Sequence, residues 1–188
     1  MRKLKLQMQM TLDGFVAGPD GQLDWMWIPG ERDEAVFKKA IELAGTCDII
    51  LMGRKMTGEF TTYWENVVDN QPDSPEHSFA QQMVNMRKIV FSRTQTTING
   101  RNVEVENGDL AAVVQKLKEQ PGKDILVYGG ANFVNSLINL NLIDEYFIFR
   151  NPVAIGNGLS IFKEKKILKL ESSIAYRDGK ILDKYLPG

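Results

Sequence analysis

The chain reads as an α/β protein: a three-layer, mostly parallel sheet with helices on both faces and an antiparallel C-terminal hairpin. Three observations predict it. Short apolar strand-like runs alternate with segments at helical spacing, and the last two strand-like runs flank Arg177-Asp178-Gly179, a hairpin signal. The third is Asp124-Ile-Leu-Val-Tyr-Gly-Gly-Ala-Asn-Phe-Val-Asn-Ser-Leu137, where a strand feeds a helix through two glycines.

Residues 4–10 alternate, Leu4, Leu6, Met8 and Met10 against Lys5, Gln7 and Gln9, as a strand with one buried face does. Residues 11–21 form a loop dense in Gly, Asp and Pro. Pro29-Gly30 precedes a helix over about residues 31–44, with Ala35, Val36, Ala40, Ile41 and Leu43 or Ala44 at helical spacing. Residues 49–52 are a short buried strand, and Gly53-Arg-Lys-Met-Thr57 turns into the next helix. A polar segment, 69–77, leads to a helix over about 78–85 and a strand over 88–91 that ends in Ser92-Arg93-Thr94. After a brief strand at 103–105, Asp109 caps a helix to about residue 119, with Leu110, Val113, Val114 and Leu117 inward and Pro121-Gly122 closing it. Beyond the Gly-Gly unit, a strand over 143–151 runs into a Gly/Pro loop, 152–158. Residues 172–176 and 180–185 make the hairpin.

Nothing along the 188 residues marks a repeat or a linker, so one domain over 1–188 is expected. A hydrophobic content of 43% suits a globular core, and a net charge of -1 argues against nucleic acid or an anionic membrane as the main partner. One cysteine, Cys47, leaves no intrachain disulfide or Cys-based metal cluster. One histidine, His77, disfavours a His-ligated metal or a Ser-His-Asp triad, so no metal is expected. No run is apolar enough to span a membrane and no signal sequence opens the chain, which predicts a cytoplasmic protein.

Ligands of open α/β sheets bind at the carboxyl ends of the strands. Three segments meet there: Gly53-Arg54-Lys55-Met56-Thr57, Ser92-Arg93-Thr94 and Gly129-Gly130-Ala131-Asn132. Gly129-Gly130 and the helix after them offer N–H donors to a pyrophosphate, or form a plain tight turn. Gly53 lets the chain approach closely, and Arg54, Lys55 and Thr57 add charge and a hydroxyl at a second helix start. Ser92, Arg93 and Thr94 suit the 2′-phosphate that separates NADPH from NADH. The competing reading of Arg54 and Arg93 is solvated surface charge.

In this order and spacing the chain resembles the dihydrofolate reductase-like superfamily, above all the reductase domain of the bifunctional riboflavin-pathway deaminase-reductase and its stand-alone bacterial relatives. The matching pieces are Thr11-Leu-Asp-Gly-Phe-Val-Ala-Gly18 with Trp25, Met52-Gly-Arg-Lys-Met56, Val90-Phe-Ser-Arg-Thr94, Tyr128-Gly-Gly-Ala131 and Asn151-Pro-Val-Ala-Ile-Gly-Asn-Gly158. The resemblance implies a dihydrofolate reductase-like fold and NADPH as cofactor. It places Val16 and Ala17 beside the nicotinamide, residues 53–57 and 92–94 on the adenosine phosphates, and Gly129, Gly130, Ala131, Asn132 and Phe133 on the pyrophosphate. Pro152, Gly156 and Gly158 fall near the substrate.

The proton donor is open among Asp24, Asp13 and Asp33, in that order, with Glu31 beside Asp33. Asp13 also reads as a turn residue and Asp24 as a local cap. Trp25 and Trp27 line the pocket or belong to the core. The expected activity is NADPH-dependent hydride transfer to a small pterin-like or pyrimidine-like molecule. The alternative is a fold relative that binds a nucleotide or small ligand without catalysis. A phosphotransferase would want a Gly-rich loop ending in Gly-Lys-Ser/Thr, which is absent. A homodimer is expected, with the hairpin and Phe147-Ile-Phe149 as a possible seam, although both phenylalanines suit a core.

Overall fold

Crossovers, most of them helical, return the chain so that the first seven strands run the same way, and only the last strand of the C-terminal hairpin reverses direction. A computed structural model describes residues 1–26 and 33–188. In chain order it contains β1 (Leu4–Thr11), a 3-10 turn (Asp24–Met26), α1 (Glu34–Gly45), β2 (Cys47–Gly53), α2 (Arg54–Asn70), α3 (His77–Asn85) and β3 (Arg87–Phe91). There follow β4 (Val103–Glu106), α4 (Leu110–Glu119), β5 (Asp124–Gly129), α5 (Ala131–Asn139), β6 (Glu145–Asn151), β7 (Leu168–Ala175) and β8 (Ile181–Pro187). The eight-stranded sheet has the order β4-β3-β2-β5-β1-β6-β8-β7.

Side-chain alternation along the strands divides the core between the two faces. On one face, Leu4, Leu6, Ile125, Val127 and Ile148 pack under Val114 and Leu117 of α4 and Val134, Leu137 and Ile138 of α5. On the other, Ile50, Met52, Val90 and Leu126 lie under Phe60 and Trp64 of α2 and Phe79 and Met83 of α3. Farther along that face, Phe147, Phe149 and Leu182 meet Val36, Ala40 and Leu43 of α1. Phe147 and Phe149 are therefore core residues. Helix α1 also sends Phe37 and Ile41 into the α2–α3 cluster, so it bridges two apolar regions. Burying each large apolar side chain contributes roughly 1.5–3 kcal/mol before ordering costs are subtracted.

The fold class matches the expectation, and the departures from it have physical causes. Helix α1 starts at Glu34 with Asp33 as its N-cap, accepting from the Ala35 N–H at 3.0 Å. Trp27, Pro29, Gly30 and Glu31 lie outside the described residues. Strand β7 begins at Leu168 rather than residue 172, because a register shift between Leu170 and Ser172 interrupts the alternation that would have revealed it. Strand β1 does not have one covered face. It sits between β5 and β6, and Gln7, on its supposed polar side, is 4% exposed.

Candidate functional site

Strands β2 and β5 are neighbours, so Gly53 and Gly129-Gly130 end side by side. Gly130 has φ +91°, in the left-handed region that favours glycine, and a Cβ there would lie 3.5 Å from the Gly53 backbone. A Cβ on Gly53 would meet Phe133 at 2.8 Å, and one on Gly129 would meet Met56 at 2.8 Å. These glycines let the starts of α2 and α5 pack against each other. Both helices have glycine N-caps, Gly53 and Gly130, and neither cap offers a side-chain hydrogen bond. Two sets of helix-start N–H groups, with aligned dipoles, thus converge with no side-chain acceptor.

Charge surrounds this junction. Arg54 and Lys55 occupy the first turn of α2, both exposed and, among the described residues, without an ion pair. Thr57 does not face outward: it is fully buried, and its hydroxyl donates to the Gly53 carbonyl at 3.1 Å, bracing the turn. At the end of β3, buried Ser92 accepts from the N–H groups of Thr94 (3.3 Å) and Gln95 (2.9 Å). Asn107 grips the same turn through the carbonyls of Ser92 and Gln95, leaving Arg93 and Thr94 exposed at its tip. Phe91 stacks on Phe133, with ring centroids 5.4 Å apart, joining the β3 end to α5. Ala131 and Asn132 open α5, and Asn132 accepts from Lys163 Nζ at 2.8 Å. Sequence reading missed Lys163 and Asn107, because both arrive from distant loops.

The β1 and β6 ends are organised differently. The loop after β1 and the loop after β6 are zipped together: Leu12 N–H to Val153 O (2.7 Å), Val16 N–H to Leu159 O (2.8 Å) and Leu159 N–H to Ala17 O (2.8 Å). A Cβ on Gly158 would fall 2.3 Å from the Ala17 carbonyl, so close approach of these backbones requires that glycine. Val16 and Ala17 are buried at this seam, with Pro152 and Gly156 on the facing loop.

Asp13 clamps the same seam. One carboxylate oxygen accepts from the Thr11 hydroxyl (2.6 Å), and the other from the N–H groups of Ile155 (3.0 Å) and Gly156 (2.7 Å). The Thr11 hydroxyl, then these backbone donors, hold its pKa below the ordinary carboxylate range. Asp33 is held low too, by the Arg177 N–H first and the Ala35 N–H next. A proton donor needs the opposite tuning. Asp24 opens the 3-10 turn, exposed to solvent, directly before the buried Trp25.

Two surface concavities, of about 190 and 440 Å³, lie elsewhere, one lined by Arg87, Glu104 and Lys116 and the other by Met1, Arg2 and Asp124. Neither includes any residue of this cluster. Among the described residues, no group of His, Cys, Asp and Glu is arranged to hold a metal ion, and no helix is long and apolar enough to cross a membrane.

The family model described as the RibD C-terminal domain matches residues 2–182. The chain belongs to that family. An uncharacterized Bacillus subtilis protein, YyaP, is 33% identical over 181 residues, which span 95% of this chain and 91% of that protein. A protein provisionally assigned to riboflavin biosynthesis, from Shewanella sp. PV-4, superposes with a TM-score of 0.70 at 22% identity, covering 100% of this chain and 99% of that one. The Thermotoga maritima diaminohydroxyphosphoribosylaminopyrimidine deaminase/5-amino-6-(5-phosphoribosylamino)uracil reductase gives a TM-score of 0.65 at 19% identity. The RibD C-terminal domain chain spans all of its own length there, but 57% of that bifunctional protein. At these identities the two structures establish the shared fold, the dihydrofolate reductase-like sheet of RibD reductase domains.

Proposed function

We propose that this RibD C-terminal domain protein is an NADPH-dependent reductase that transfers hydride to a small pterin-like or pyrimidine-like substrate. The observation that carries the reading is the paired, uncapped start of α2 and α5 at Gly53 and Gly130, flanked by Arg54, Lys55 and Arg93, which have no ion pair among the described residues. Converging N–H donors and free cations fit a dinucleotide bearing an extra phosphate. The α5 start would hold the pyrophosphate, and Arg54, Arg93 and Thr94 the 2′-phosphate. Val16 and Ala17 would border the nicotinamide. When bound, NADPH supplies the hydride. The protein's share is placement and proton delivery.

Asp24 is the proposed proton donor, since Asp13 and Asp33 are engaged in clamping and capping. Asp24→Asn should lower turnover and leave NADPH affinity intact. Full activity in that variant would move proton delivery to water or to another group.

A melting scan with NADPH, NADH and no ligand tests the cofactor assignment. A rise in Tm specific to NADPH supports it; equal effects of the two cofactors would sink it. Loss of absorbance at the nicotinamide band with an added substrate then reports turnover. A second reading, non-catalytic binding of a nucleotide or small ligand, draws on the lowered pKa of Asp13 and Asp33. It predicts the same NADPH shift with no absorbance loss for any pterin or pyrimidine.

A further inference from the structure

On the α1 side of the sheet, β1 presents Lys5, Gln7, Gln9 and Thr11 in succession, between the α2–α3 cluster and the α1 cluster. A central strand covered on both faces ordinarily carries apolar residues on both. Here the row is polar, and its hydrogen bonding is incomplete. Lys5 is satisfied, donating to Thr46 and pairing with Asp124 at 2.7 Å. The Gln7 side chain, in a residue 4% exposed, makes no hydrogen bond among the described residues, and its Oε1 is buried without a donor.

One strand over, Asn151 is 2% exposed. Its Nδ2 faces three carbonyl acceptors, Gln9 Oε1 (2.8 Å), Phe149 O (3.1 Å) and Met10 O (3.4 Å). That fixes the orientation of the amide and leaves its Oδ1 as a second buried acceptor without a donor. Gln9, committed through its oxygen, keeps its Nε2 without a partner among the described residues. A third orphan, the buried Trp25 Nε1, belongs to the loop that leaves the same end of β1. Orphaned polar atoms in a core cost about 1–3 kcal/mol each, so this grouping at a strand carboxyl end calls for a partner that the described residues do not supply.

We infer that Gln7, Gln9 and Asn151 form a carboxamide floor that recognises an uncharged heterocycle through its lactam edge. Ring N–H groups donate to Gln7 Oε1 and Asn151 Oδ1, and a ring carbonyl accepts from Gln9 Nε2. The row contains no carboxylate, so it selects a neutral ring over a protonated one. Gln7 and Gln9 stand about 7 Å apart along the strand, a span that suits a fused two-ring system. This assignment rests on the proposed function, taking the β1–β6 end of the site as the substrate half.

The probe is lumazine, a neutral pteridinedione, at slightly acid pH, with 1,3-dimethyllumazine as a same-shaped control lacking both pyrimidine-ring N–H donors. Titrations run with and without NADPH on the intact protein and on Gln7→Met. Lumazine should bind at least about tenfold tighter than the dimethyl compound. Gln7→Met should lose that preference while its unliganded Tm holds or rises, because an apolar side chain removes an orphaned polar atom. Its Tm response to NADPH should match that of the unmutated protein. Absent lumazine binding, equal affinity for the two probes, or unchanged lumazine affinity in Gln7→Met would overturn the assignment. Lumazine selectivity without any NADPH effect would uphold the floor and sink the reductase reading instead.

Discussion

At the β2–β5 junction the candidate contacts come from main-chain groups within a few residues of a strand end, with Arg54 and Lys55 directly following Gly53. At the β1–β6 end they come from buried side chains and loops far apart in sequence: Asn151 bonds Gln9 across 142 positions, and Asp13 bonds Gly156 across 143. Phosphate is met by helix starts and cations, which short motifs encode. The proposed heterocycle contacts are side-chain amides, whose burial depends on where the strand lies in the sheet. So a single change at the first end should act on binding, and a single change at the second on the joining of two loops.

The largest effect is expected from Gly130→Val. Gly130 has φ +91° and nearly touches Gly53, so a β-branched side chain resists the backbone and blocks the approach to the helix start. NADPH affinity should fall at least about a hundredfold, with circular dichroism confirming a folded chain. Unchanged affinity would reduce Gly129-Gly130 to a plain turn and remove the contrast between the two ends.

Gly158→Ala probes the other end. Its Cβ would meet the Ala17 carbonyl at 2.3 Å, and backbone cannot swing aside as a flexible side chain can. Overpacking of this kind costs about 1–3 kcal/mol, visible as a Tm lowered by several degrees, with NADPH affinity changed far less than in Gly130→Val. An unaltered Tm would show that the seam yields freely.

The two ends also differed in how far sequence revealed them. The strand–Gly–Gly–helix passage and the Gly53 turn were legible because backbone conformation and helix start lie within a few consecutive residues. Sequence alone offers Thr57 as a ligand hydroxyl, yet it bonds its own helix start, a choice that a residue four positions past Gly53 makes only once the helix exists. The polar side of β1 was read as a solvent face because alternation shows two faces without showing what covers them. Only the sheet order, with β1 between β5 and β6, buries Gln7. The zip between Val16 and Leu159, and the arrival of Lys163 at Asn132, depend on tertiary closure.

Arg93→Ala sharpens the phosphate end. Arg93 projects from a turn fixed by Ser92 and Asn107, so its loss should remove a charge without moving the backbone. NADPH affinity should drop about tenfold and its salt dependence should weaken, since the site is exposed and screened. NADH affinity should barely change. An equal drop for both cofactors would place Arg93 on the shared pyrophosphate rather than on the 2′-phosphate.

The smallest effect belongs to Asp13→Asn. An asparagine keeps one acceptor oxygen, whereas Asp13 uses both, one for the Thr11 hydroxyl and one for the N–H groups of Ile155 and Gly156. Tm should fall by a few degrees at neutral pH. The sign of its pH dependence follows from the lowered pKa of the folded state. Asp13 binds its proton less readily when folded than its reference value of 3.8 implies, so its contribution is complete above that value. It is lost as pH falls below 3.8 through the depressed folded-state pKa. Melting curves of both proteins from neutral pH downwards should therefore differ most above 3.8 and converge below it. A constant gap across that range would mean that the clamp depends on shape and not on charge.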